Sequence, residues 1–265
     1  VALLLVAHGS RDARHAATVE ALRAVVTVLR PGLRTEVAYL DLCAPGVPRA
    51  LERLAADGVT EVVALPLLLG RAFHAKVDLP AVLRGAAARL PGLRIRQAAV
   101  LGPSPLLTAA LERRLREAGV GAADRGSTGV VLAAAGSSDP AAAEEFAALA
   151  REWRHTGGWR AVRPAFASAR LPRTEDAVRA LRAEGVRRVV VAPYVLAPGR
   201  LPDRIAHGAA EADVLAGVLG AAPEVGRLVV RRYDEVGAEG PLTAPLLPEL
   251  SSPAGRAGSA GPSGV

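Results

Sequence analysis

The chain repeats itself at a fixed offset, and that repetition limits its fold more tightly than any single motif. A shift of 127 residues lays Gly9-Ser10 on Gly136-Ser137, Asp12 on Asp139, Tyr39 on Phe166 and Pro45 on Pro172. The same shift brings Gly58-Val59 onto Gly185-Val186, Val62-Val63 onto Val189-Val190 and Pro66 onto Pro193, with no gap over about sixty positions. One offset held that long marks a duplicated domain, so the 265 residues divide into two units of roughly 125 residues, each able to hold its own core. The expected division is a first domain at 1–120, a linker at 121–128 and a second domain at 129–236. Residues 237–265, rich in Gly, Pro, Ser and Ala, are expected to form a disordered tail.

Within the first copy, Ala2 to Ala7 is a continuous apolar run closed by His8-Gly9-Ser10, the pattern of a buried parallel strand entering a tight turn. Helical spacing follows over 14–29, with Val19, Leu22, Val26 and Leu29 on one face and Pro31-Gly32 as the stop. Further strands are expected at 34–40, 61–68 and 94–100, and further helices at 47–56, from Asp78 as N-cap to about Leu90, and at 105–118. In the second copy the strands are expected near 130–134, 160–167, 187–194 and 227–232. Strands alternating with helices predict an α/β fold of two tandem flavodoxin-like domains. Each would be a four-stranded parallel sheet flanked by helices, with its first strand central.

Charge and composition narrow the functional classes. The net charge of +7 is carried almost wholly by Arg, since Lys76 is the single lysine, and no basic run is interleaved with aromatics. Nucleic acid is therefore not an expected partner. No apolar stretch approaches the ~20 residues of a spanning helix, so no membrane role is expected. Cys43 is the one cysteine, which leaves no internal disulfide, and Val1 to Ala7 is short for a signal peptide. The expectation is a cytoplasmic protein.

The most informative difference between the copies is chemical. Under the 127-residue shift His8 falls on Ala135, Asp41 on Ser168 and His74 on Leu201, so one half carries two imidazoles and a carboxylate that the other lacks. His8 follows the first strand, Asp41 the second, and His74 lies in the loop after the third. In an open α/β sheet these loops form the ligand crevice. Imidazole and carboxylate suit first-row divalent metals, and imidazole also accepts protons near neutral pH. Each residue has a plainer alternative: a hydrogen-bonded structural His8, an Asp41 that caps a turn, a solvated His74. Their joint placement in one copy favours function. His15, His155 and His207 read as surface or capping residues, and Cys43 as a small buried apolar one.

The stretches Leu-Leu-Val-Ala-His-Gly-Ser-Arg-Asp (4–12), Ala-Tyr-Leu-Asp (38–41) and Leu-Pro-Leu-Leu-Leu-Gly-Arg-Ala-Phe-His-Ala-Lys-Val-Asp-Leu-Pro (65–80) resemble the class II tetrapyrrole chelatases. Among these the chain is most similar to the long, internally duplicated sirohydrochlorin chelatases. The resemblance implies insertion of a divalent metal, Fe²⁺, Co²⁺ or Ni²⁺, into a polycarboxylated tetrapyrrole without ATP, in sirohaem or cobalamin biosynthesis. The metal is then substrate, and no prosthetic group is implied. It matches His8 and His74 to the family's two active-site histidines and puts Asp41 where many members have Glu. Gly9, Ser10, Arg11, Arg71 and Lys76 surround these positions as candidate holders of substrate carboxylates, Gly9-Ser10 by opening a helix N-terminus. One duplicated chain standing in for a dimer implies a monomer. A non-catalytic tetrapyrrole or metal carrier of the same fold is the main alternative. A histidine-phosphatase reading is disfavoured because Ala7, and not Arg, precedes His8.

Overall fold

A computed structural model describes residues 1–70 and 78–238. The first half contains β1 (Ala2–Ala7), α1 (Ala13–Leu29), β2 (Arg34–Tyr39), α2 (Val47–Ala56), β3 (Glu61–Pro66), α3 (Asp78–Arg89), β4 (Arg94–Gln97) and α4 (Pro105–Glu117). A 3-10 turn at Ala122–Ser127 leads to β5 (Thr128–Ala134), α5 (Pro140–Gly157), β6 (Ala161–Phe166), α6 (Thr174–Ala183) and β7 (Arg188–Tyr194). The chain then forms α7 (Arg200–Gly208), β8 (Val214–Leu215) and α8 (Pro223–Ala238). Two parallel four-stranded sheets result, ordered β2-β1-β3-β4 and β6-β5-β7-β8. As expected for a flavodoxin-like order, the first strand of each copy is interior. No described helix is long and apolar enough to cross a membrane.

The sequence offset reappears as sheet register. Ala7 pairs with Tyr39 in one sheet and Ala134 with Phe166 in the other, while Val6 pairs with Pro66 and Ala133 with Pro193. Side chains alternate along each buried strand, so each sheet must be covered on both faces. Leu3, Leu5 and Ala7 of β1 face a central core that also takes Val130 and Leu132 of β5 and the buried sides of α1, α4, α5 and α8. Ala2, Leu4 and Val6 face an outer core under α2 and α3, and Val131 and Ala133 face its counterpart under α6 and α7. The molecule thus has a shared inner core flanked by two private ones, where the sequence had suggested two separate cores.

The last helix of each copy crosses over. α4 packs against β7 of the second sheet, and α8 packs against β3, α1 and α4. Gly226 of α8 comes so near α1 that a Cβ there would lie 2.5 Å from Val25 Cγ1. Arg113 of α4 clasps Glu224 at 2.7 Å, Arg232 donates to the carbonyl of Val100 at 2.9 Å, and Arg96 donates to that of Val236 at 2.8 Å.

This crossover explains the one misassigned element. Residues 227–232 were expected to be a strand because Leu228, Val229 and Val230 form a short apolar run, but they lie inside α8. Val225, Leu228, Val229 and Val236 are buried on one face at helical spacing, and Pro223 opens the helix. The fourth strand is instead the two-residue β8. Residues 237–238 of the expected tail are the end of α8, and the remaining 239–265 lie outside the described residues. The linker carries a 3-10 turn, and α3 starts at Asp78 itself rather than after it.

Candidate active site

The turn after β1 is built by a glycine that no other residue can replace without distortion. Gly9 has φ +99°, and a Cβ on it would sit 1.8 Å from the carbonyl oxygen of Asp41. The close approach lets Asp41 N donate to His8 O at 2.9 Å and locks the ends of β1 and β2 together. Cys43 completes the lock: its thiol donates to Ser10 O at 3.0 Å and its sulfur accepts from Ser10 N at 3.4 Å. Cys43 is therefore a half-buried, hydrogen-bonded strut. Gly136 copies the geometry, with φ +99° and a Cβ position 2.1 Å from Ser168 O.

His8 projects from this turn onto the wall of an open cleft of about 480 Å³ between the two halves. The first half contributes His8, Gly9, Ser10 and His15, together with Leu67 to Gly70 beyond β3. The second contributes Gly136 and Ser137, Glu145 and Phe146 of α5, and the segment Tyr194 to Pro202 beyond β7. All of these strand exits are carboxyl ends, the usual ligand edge of such sheets. The cleft walls are mostly apolar with a few polar groups, as in small-molecule sites of this size.

The other sequence candidates fall in different places. Asp41 is exposed and off the cleft wall: its Oδ1 accepts from Leu42 N at 2.7 Å, in the turn-forming role that was its plainer alternative. Arg11 is exposed and likewise off the wall. Gly9 and Ser10 line the cleft but do not open α1. Asp12 is its N-cap, accepting from Arg14 N at 2.9 Å, and Ser10 Oγ is spent on Asp12 N at 3.1 Å. The first free N–H of the helix is thereby occupied by the protein's own carboxylate. His74, Arg71 and Lys76 lie outside the described residues. Among the described residues, no group of three or more His, Cys, Asp or Glu side chains is disposed to hold a metal ion.

Four residues on or beside the cleft escaped the sequence reading. His15 is not a surface residue: it is half-buried on the cleft wall, its ring tilted against Tyr39 at 6.4 Å, and its Nδ1 is sealed without a hydrogen-bond partner. Burial pushes the His15 imidazole below its ordinary value, and the neighbouring His8 pushes the same way, against a weaker opposite pull from Asp12. Tyr194 ties the halves by donating to Leu69 O at 3.3 Å, and burial raises its phenol far above the usual range. Arg200 is an exposed residue of the wall, and Arg14 of the first half pairs with Asp203 of the second at 2.7 Å. For His15 the signal was available in principle, because the 127-residue shift sets it on Ala142, another wall residue. Arg200 and Tyr194 carry no such signal, since they matter only once the halves face each other.

Fold and cleft together define a class: a duplicated α/β protein with an open cleft between two parallel sheets, whose imidazoles among the described residues, His8 and His15, both come from the first half. The CbiX family model matches residues 2–118 and 129–236, once per copy. The chain belongs to the CbiX family, as a long, internally duplicated member. It is similar to the sirohydrochlorin ferrochelatase of Bacillus subtilis, 29% identical over 208 residues covering 77% of each chain. It is also similar to the sirohydrochlorin cobaltochelatase of Priestia megaterium, at 25% identity over 90% of this chain and 80% of that one. Among solved structures, SirB from Bacillus subtilis with Fe³⁺ superposes with a TM-score of 0.76 at 26% identity, covering 89% of this chain and 95% of that one.

Proposed function

We propose that this protein is a sirohydrochlorin chelatase, inserting Fe²⁺ or Co²⁺ into the tetrapyrrole without ATP and feeding sirohaem or cobalamin synthesis. The observation that carries the reading is His8, an imidazole at the exit of β1 on the wall of an open inter-half cleft, in a CbiX-family chain similar to both ferro- and cobaltochelatases. His8 presents the metal, joined by His74 from the segment after β3. Two imidazoles hold a divalent ion loosely enough for release, where a closed tetrahedral cage would retain it. The macrocycle gives up two pyrrole N–H protons and gains four metal–nitrogen bonds, so no nucleotide is needed to drive the exchange.

The rest of the cleft binds and orients. Apolar walls from both halves cover one face of a flat ring, and Arg200 pairs with a ring carboxylate, helped by Arg11, Arg71 and Lys76 at the periphery. Ser10 and Gly9 keep the β1 exit open beneath the ring. Asp41 acts through the turn that fixes His8 rather than through the metal. The protein works as a cytoplasmic monomer, its second half serving as the opposite wall.

The test is metal insertion followed by the absorbance change of the macrocycle under anaerobic conditions. Wild-type protein accelerates insertion, and His8→Ala or His74→Ala lowers kcat by at least about 100-fold, the scale of a lost acid–base or ligand group. Tight binding of macrocycle or Co²⁺ with an insertion rate equal to the uncatalysed one would make the protein a carrier instead.

A further inference from the structure

We propose that His15 is a second working imidazole of the cleft, the proton acceptor for one pyrrole N–H, separate from the imidazole that presents the metal. The inference rests on the chelatase reading and adds a residue to it. A nitrogen that is still holding a cation has no lone pair left for a proton, so the first pyrrole proton to leave needs a base besides the metal's own ligands. His15 shares the cleft wall with His8 and sits on α1, a different element from the β1 turn.

Its surroundings set it apart from a structural histidine. Buried polar atoms are nearly always hydrogen-bonded, and an exception asks for an explanation. His15 Nδ1 is such an exception, and around the ring stand Tyr39 of β2, Asp12 at the start of α1 and His8 after β1. With no bond on Nδ1, a proton can arrive on the ring without breaking one there. Burial keeps the imidazole in the neutral form that accepts. The second copy has Ala142 here, an apolar wall, so this imidazole is confined to the half that carries His8.

The step balances simply. One pyrrole N–H bond breaks, its electron pair stays on the nitrogen and forms the bond to the metal, and the proton moves to His15 and then to solvent. The other pyrrole proton passes to His8 once the metal has left it.

The experiment compares wild type, His15→Gln and His15→Leu in the Co²⁺ insertion assay, with Co²⁺ affinity from calorimetry and thermal midpoints alongside. Expected is a fall in kcat of about 100-fold in both variants, with KM and Co²⁺ affinity within about twofold. Increasing PIPES should partly restore the rate of His15→Leu, and its thermal midpoint should equal or exceed that of wild type. Unchanged kcat in both variants overturns the inference, and so does a rate loss matched by an equal loss of Co²⁺ affinity, which would make His15 a ligand. A lowered midpoint with normal kcat would make it structural. A wild-type protein that inserts nothing removes the chelatase reading itself, an outcome distinct from all of these.

Discussion

Gly9 and Gly136 are the same residue in two copies, so the pair separates the structural use of a turn from its chemical use. Each has φ +99° and faces a carbonyl across a gap that no Cβ fits. Gly9→Ala and Gly136→Ala should each cost about 2 kcal/mol or more in urea unfolding, as a strained left-handed position does. Only Gly9→Ala should also lower insertion beyond what its loss of fold explains, because only that turn bears His8. His15 has a second consequence at this scale. Its folded-state value lies below the unfolded one, so the unfolded chain takes up more protons as pH falls through the ordinary imidazole range, and the fold loses stability there. The thermal midpoint of His15→Leu should therefore decline less than that of wild type between about pH 7 and 5. His8 was legible in the sequence because a strand end, a tight Gly turn and a missing partner in the copy all pointed to it. His15 was not, since helical spacing says which residues are buried but not that a second domain stands opposite.

At the level of elements, α8 is the informative case. Its Gly226 lies on Val25 and Leu29 of α1, and Gly226→Val should destabilise by about 1–3 kcal/mol through overpacking, read from the denaturation midpoint. Glu224 is buried and held below the usual carboxylate range first by Arg113, so its contribution is complete near neutrality and is lost as pH falls through and below that range. Glu224→Gln should be less stable than wild type at pH 7 and converge with it toward pH 3, a comparison that urea midpoints can make. The strands β1, β3, β5 and β7 could be read from sequence because continuous apolar runs bounded by turns have one natural interpretation. Leu228-Val229-Val230 could not, since a short apolar run with no turn residues beside it fits strand and helix alike, and only the packing of its face on the other copy's sheet decides. The two-residue β8 is too short to leave a pattern.

The whole molecule is less divisible than its sequence. Two copies with matching register suggest two independent domains, yet α4 leans on the second sheet and α8 on the first, and their faces meet in one inner core. A chain ending at Ala222 should lack cooperative unfolding by circular dichroism, although every residue of the first half is present. Residues 1–120 and 121–265 produced separately should be poorly ordered alone and regain secondary structure and insertion activity when mixed. Glu112 of α4 strengthens the same seam, accepting from Trp153 at 2.7 Å and Trp159 at 3.1 Å while pairing with Arg125.

The crossed helices also govern what inheritance can discard. A duplicate that merely sat beside its twin could be removed without disturbing it. Here the second copy lends its final helix to the first, so removing its body takes away part of the first copy's cover. Substitutions at Ala135 and Leu201, the second copy's counterparts of His8 and His74, should therefore be better tolerated than substitutions at Gly226 and Glu224, which hold the crossed helix.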